Sequence, residues 1–501
     1  MQSLVPLLLL LTPDAQSALP EGFDIDRVEA DLHWMVHEVG PRVADTPAEA
    51  ATAERIRAAL VTAGWSPHDV GMPNNLVACR GAGERLLLAH IDTVPGSPGA
   101  IDNGAGVAVI LELARTATAP DLCVGFPVAE ELGLVGSRAM ARAAAAGHPA
   151  FPGGMPALTV AIDLAGQGQL ALMGLGPAWT PERLSWLQSN LDPLPVAPFA
   201  YRVYSRLLPW MERSDHAPFA WHGGLSLHLL GLGDSDVFPL YHQPEDVNWE
   251  RKALIDLAVA LHQLGTAPKL PPLPVADGLV DRTRSPEGAG LLLFGLAWPT
   301  ELVWGVVIAG IVAGLADLRR GLPGVPRQLV VGLLAAVAAA GTMAIITGGG
   351  WFSPTVGERT AMAVMGTEAT GWWSAAPVAV GAAAAVWLAI RHRLGRGGSA
   401  SFGAALGAIG AAWLDPVFAL PFGAAALLAR LHPLFALIPA AYLLRPSALR
   451  QFTFHGLAPP LFWGAVWLLA WPAVAGWKSA ATLGRRQTEV PCPSSSSSDP
   501  S

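Results

Sequence analysis

His90 and Asp92 close an apolar run, RLLLAHID, and Asp102 follows twelve residues after the histidine in a loop of glycines and prolines. Glu130 and Glu131 stand side by side in LCVGFPVAEE, Asp163 ends LTVAID, and His242 lies in a late segment, PLYHQPEDV. Imidazole and carboxylate are ligands that suit zinc, and a carboxylate between two cations can bind both through its two oxygens. Two adjacent buried glutamates repel each other unless a cation compensates them. If strand geometry runs through them they point in different directions, so one can hold a metal while its neighbour handles a proton. Asp92, two residues beyond His90, can accept the imidazole's other N–H and fix its tautomer. The donor set fits two divalent ions.

Groups so far apart in the chain meet only if a fold gathers them. DIDRVEADLHWMVHEV and TPAEAATAERIRAALVTAG have helical spacing, the second with Thr46 as cap and Gly64 as stop. RLLLAHID, LCVGFPVAE, LTVAIDLAG and LSLHLLGLG are short apolar runs bounded by Gly or Pro. Continuous apolar strands alternating with helices predict an α/β fold: a mainly parallel central sheet flanked by helices. In such sheets ligands bind outside the carboxyl ends of the strands, where these residues fall. The glycines and prolines between His90 and Asp102 then bend the chain so that both reach one centre.

The chain has 501 residues, and its mean hydropathy of +0.41 is high for an ordinary soluble protein. The first 290 residues carry a net charge of −14 and the remainder +6, which together give −8. No basic stripe or aromatic platform points to nucleic acid. Cys79, Cys123 and Cys492 show no metal spacing and predict no disulfide framework. Residues 1–18 read as a signal peptide or amino-terminal anchor, 22–268 as the α/β domain and 269–290 as a Pro-rich linker. Apolar spans near 291–316, 328–347, 373–390, 400–414, 416–444 and 457–477 predict an all-α polytopic membrane domain over 291–478, with six or seven crossings. Arginines after the first and third spans place those loops in the cytoplasm, hence the α/β domain outside a cell membrane. Residues 479–501 are of low complexity and read as a disordered tail.

The ordered set HIDTVPGSPGAIDNGAGVAVILELAR, AEELGLVGS, AIDLAG, RSDHAPF and YHQPEDV resembles the di-zinc aminopeptidases of the aminopeptidase Y and bacterial leucyl aminopeptidase type, over roughly 28–264. The resemblance implies a zinc-exopeptidase-like fold and two zinc ions acting on peptide substrates. It implies that Asp102 bridges the ions, that His90 and Asp163 complete one ligand set, and that Glu131 and His242 complete the other. Glu130 is then the general base, Asp92 orients His90, and Asp215 and His216 of the SDH segment contact substrate. The related carboxypeptidases insert a domain before the last histidine, and the 79 residues from Asp163 to His242 leave no room for one. Two alternatives stay open. One is a glutaminyl-cyclase-like acyl transferase, and the other is a receptor-like or transport protein whose peptidase-like domain only binds ligand.

Overall fold

The computed structural model describes residues 19–116, 119–173, 181–192, 214–232 and 240–271 with Trp179, then 291–293, 296–298, 300–317, 325–346, 400–412 and 416–432 with a few isolated positions. Residues 1–18, most of the expected linker, the spans at 373–390 and 457–477, and the tail lie outside these. Two compact units divide the chain, the first running to Thr300 and the second holding most residues from Glu301 onward.

In the first unit, α1 (Ile25–His33) starts at Asp24, whose carboxylate accepts the N–H of Asp26 and Arg27. Thr46 caps α2 (Pro47–Thr62), while Glu49 reaches back to the N–H of Asp45, so two orphan donors are satisfied together. Strands β1 (His68–Asp69), β2 (Leu76–Cys79), β3 (Arg85–Leu88), β4 (Leu122–Phe126), β5 (Leu158–Ile162), β6 (Gln169–Met173) and β7 (Ser226–Leu232) form one sheet in the order β1-β2-β4-β3-β5-β7-β6. Every residue of β3, β4 and β5 is buried, as continuous apolar runs require in a sheet covered on both faces. Helices α3 (Ala105–Thr116) and α4 (Val135–Ala145) are the crossovers after β3 and β4. The one charged residue of β3, Arg85, sends its guanidinium to the carbonyls of Gly265, Ala267 and Pro268 and so pins the end of the helix Arg251–Thr266.

The expectation of a mainly parallel sheet needs correction. The central pairings β4-β3, β3-β5 and β5-β7 are parallel, but β1-β2, β2-β4 and β6-β7 are antiparallel. The sheet is mixed at its margins: β1 returns directly into β2, while β2 lies against β4 and β6 against β7 across longer stretches of chain. The cysteine reading changes too. Cys79 and Cys123 face each other across the β2/β4 register and form a disulfide 44 residues apart in sequence. Closing a loop of that length contributes about 4 kcal/mol by restricting the unfolded chain.

The run expected to cross a membrane at 291–316 begins instead, still within the first unit, with an antiparallel pair, β8 (Leu291–Leu293) and β9 (Leu296–Trp298). Hydropathy alone does not separate a short buried strand from a helix. Helices follow at Thr300–Leu315, Val325–Ile346, Ala400–Ala412 and Pro416–Leu431. Sixteen residues, the length of the first and last, rise only ~24 Å against a hydrocarbon core of ~30 Å. Among the described residues no helix is long and apolar enough to cross a membrane.

Candidate metal centre

Strands β4 and β5 flank β3 and run parallel to it, so the chain reverses its order at β3 and a crevice opens at the carboxyl ends. The residues that continue these three strands are His90 to Asp92, Glu130 and Glu131, and Asp163. Main-chain bonds persist past the strand ends: Ile91 N–H donates to Pro127 O at 2.8 Å and Asp163 N–H to Leu229 O at 3.1 Å. Asp102 comes in from the loop between β3 and α3. Gly99 in that loop has φ +64°, and a Cβ there would lie 2.3 Å from the carbonyl oxygen of Asp102, so only glycine fits. The Asp102–Asn103 peptide is cis, and the Asn103 amide donates to Ile162 O at 2.6 Å. Three residues without glycine's freedom hold left-handed backbone beside the donors: Ala129, Leu164 and His242 itself.

Two ligand groups result. His90, Asp102 and Asp163 converge in one, and Asp102, Glu131 and His242 in the other. Asp102 belongs to both through different oxygens: Oδ1 is 3.3 Å from His90 Nε2, and Oδ2 is 3.3 Å from His242 Nε2. His90 Nε2 lies 3.7 Å from Asp163 Oδ1, and His242 Nε2 lies 3.1 Å from Glu131 Oε2. Tetrahedral zinc with bonds of ~2.0–2.1 Å would space neighbouring donor atoms about 3.3 Å apart. His90 Nε2, Asp102 Oδ2, Asp163 Oδ1, Glu131 Oε1 and His242 Nε2 are buried without a well-formed hydrogen bond. Buried polar atoms are rarely left so. The donor set fits two divalent cations.

Asp92 meets His90, though by its main chain: His90 Nδ1 is 3.0 Å from the Asp92 carbonyl and 3.7 Å from its carboxylate. The carboxylate instead accepts the N–H of Glu130 at 3.0 Å and of Glu131 at 3.1 Å. One residue thus ties both strand exits together. Glu130 lies outside both ligand groups. Burial pushes its proton affinity well up, helped by Glu131, Asp163 and Asp215 against the opposing charge of His90. Asp215 is fully buried, and burial pushes its pKa up to about 7. His216 stacks on His228 with ring centroids 5.3 Å apart. Tyr241 stacks on His242 at 3.6 Å, and burial together with the nearby carboxylates raises its pKa well above a free phenol's. Tyr201 and Tyr204, the other tyrosines near the SDH segment, lie outside the described residues.

Sequence reasoning missed two residues. Arg42, wholly buried, donates to the carbonyls of Ile91, Pro98 and Gly99, and Asp246 accepts the N–H of Ile101 and Asp102. Both act on main-chain atoms, which no residue type or spacing advertises.

The titration of the imidazoles gives a directional expectation. Burial opposes charge on His242, but Asp102 and Glu131 outweigh it and push its pKa up to about 10. Burial pushes Glu131 up to about 7, with Asp102 adding to it. Metals bind neutral imidazole and ionised carboxylate, so at pH 7 an entering cation displaces protons. Zinc affinity is therefore expected to rise with pH through the neutral range, losing this dependence above pH ~10. Calorimetry in buffers of different ionisation enthalpy checks this; binding without proton release at pH 7 contradicts it.

Residues 75–258 match the family model described as Peptidase family M28. A 55-residue stretch is 53% identical to Aminopeptidase YwaD of Bacillus subtilis (strain 168), covering 10% of this chain and 12% of that protein's length. Similar solved structures include an aminopeptidase from Aneurinibacillus sp. strain AM-1, with 14% identity, 52% of this chain and 97% of the other covered, and a TM-score of 0.40. BSAP, a zinc aminopeptidase from Bacillus subtilis, gives 17%, 48%, 94% and 0.38. A glutaminyl cyclase from Bacteroides thetaiotaomicron bound to N-acetylhistamine gives 17%, 50%, 100% and 0.39.

Proposed function

We propose, from the premise that residues 75–258 form a zinc metallopeptidase domain, that its centre holds two zinc ions and removes residues from the amino terminus of peptides. The observation that carries this reading is the shared carboxylate, with each Asp102 oxygen 3.3 Å from a different imidazole. Bound zinc supplies Lewis acidity toward water and the scissile carbonyl. His90 and Asp163 would hold one ion, Glu131 and His242 the other, and Asp102 both. Glu130 takes the proton of the attacking water and returns it to the leaving amine. Asp92 keeps that carboxylate in place through the Glu130 N–H. Tyr241, held protonated, is a donor for the developing oxyanion. Three ligand carboxylates with Glu130 and Asp92 exceed the four charges of two divalent ions. That surplus of negative charge suits a substrate's terminal ammonium group better than an internal peptide bond.

We infer, further, that this domain works on the outer side of a membrane. The Cys79–Cys123 disulfide belongs to oxidising surroundings. Among the described residues, every exposed large hydrophobic side chain except Val61 and Leu132 lies beyond Glu301. The helices there pack through small residues: a Cβ at Gly310 would come within 2.3 Å of Gly423, and one at Gly314 within 2.2 Å of Ala405. Small residues inside and large apolar ones outside is the arrangement lipid favours.

The full chain, expressed in membranes and loaded with zinc, tests both statements on a panel of aminoacyl and internally cleaved peptides. Hydrolysis of aminoacyl substrates that cannot enter intact cells is expected. Activity only on blocked peptides, or cyclisation of amino-terminal glutamine alone, would replace the first statement; activity appearing only after lysis would replace the second.

A further inference from the structure

The bridging aspartate and His242 come from segments 140 residues apart, yet one buried side chain couples their main chains. Asp246, four residues after His242, is completely buried. Its carboxylate accepts the N–H of Ile101 at 2.9 Å through Oδ1 and that of Asp102 at 3.1 Å through Oδ2. Its carbonyl accepts the N–H of Ala100 at 3.1 Å. Three successive amides of the incoming loop are thus held by one residue of the His242 segment. On the other side of the same loop Arg42 donates to Pro98 O at 2.7 Å and Gly99 O at 3.0 Å, while its Nε reaches Ile91 O at 2.9 Å. We propose that Asp246 is a positioning residue of the metal centre, fixing the Asp102 main chain to the loop that carries His242 so that one carboxylate faces both ligand groups. It lies outside both ligand groups, its carboxylate taken up by main-chain N–H groups. Its action is on where Asp102 stands.

This rests on the two-ion reading of the centre. The full chain's capacity for two equivalents of zinc tests that reading, whereas comparison of a variant with the unaltered chain tests this one. Asp246→Asn keeps size and removes one acceptor, setting an amide N–H₂ against a main-chain N–H. Outer-shell partners of metal ligands are typically worth about 10–100-fold in metal affinity. In the full chain, Asp246→Asn is expected to weaken zinc binding by about that factor in competition with a chelator. The visible absorption of the Co²⁺-loaded protein should shift as well, because the ligand geometry has moved. Glu112→Gln is the control for mere loss of a buried carboxylate. Glu112 is equally buried but pairs with Arg27 and Arg115, so its change should lower the melting temperature and leave zinc affinity and the Co²⁺ spectrum alone. Should Asp246→Asn fail to fold, Asp246→Glu keeps both oxygens and the charge, displaced by one methylene, and is read in the same way. Unaltered zinc affinity and an unaltered Co²⁺ spectrum in a folded Asp246 variant would overturn the proposal. So would an equal loss of zinc affinity in Glu112→Gln.

Discussion

Glu130→Gln is expected to lower kcat by about 10²–10⁴-fold with KM and zinc content unchanged, the range general acid–base groups contribute. The substitution is nearly isosteric. It leaves the main-chain N–H of residue 130 bonded to Asp92 and takes no donor from either ligand group. What it removes is a buried carboxylate whose neighbours Glu131, Asp163 and Asp215 all favour its taking a proton. A centre that kept its ions and lost only turnover would separate proton transfer from metal binding. Metal analysis and steady-state kinetics on the same preparation provide the check, and equal turnover in the two proteins would withdraw the role assigned to Glu130.

Asp102→Ala is expected to abolish two-ion binding altogether, because each ligand group is left with two protein donors. Metal ions contribute several kcal/mol to the stabilisation of transition-state charge, and about 4 kcal/mol is already a thousandfold in rate. Activity should fall by at least that factor. The fold should persist, since the main-chain N–H of residue 102 still bonds to Asp246. A ligand that binds only the native state raises its melting temperature, so the rise produced by zinc in the unaltered chain should disappear in the variant. Scanning calorimetry with and without zinc reads this directly. A variant that still took up two equivalents would mean that Asp102 is not shared.

The strands that carry the centre are legible because being buried on both faces demands mostly apolar runs, and LLL after Arg85, LCVGF and LTVAI supply them. His90, Glu131 and Asp163 are legible because each follows such a run with a polar group that the core would otherwise exclude, and Asp102 and His242 because they complete the donor set from loops. The antiparallel margins are less so: β1 is two exposed polar residues, with no pattern to announce a strand. The disulfide depends on the β2/β4 register, which places Cys79 opposite Cys123, and spacing alone says nothing about register. Arg42 and Asp246 escape a reading based on side-chain chemistry because their partners are peptide groups, and Asp92, expected at the His90 ring, sends its carboxylate to the N–H of Glu130 and Glu131. The apolar run from Leu291 misled for another reason. Hydropathy measures transfer from water, and apolar residues such as those of Leu291–Leu293 and Leu296–Trp298 meet that demand as paired strands as readily as they would in a helix.

The exits of β3 and β4 stay hydrogen-bonded as far as Ile91 and Pro127. Adjacent strands stand ~4.8 Å apart wherever such a ladder holds. The spacing of His90 from Glu130 and Glu131 is therefore inherited from the pleated sheet, while Asp102 and His242 are brought to it by loops. Lengthening the connection between α4 and β5, which carries no ligand, should leave that spacing intact, while slipping β4 by one residue would turn the carboxylates toward the opposite face.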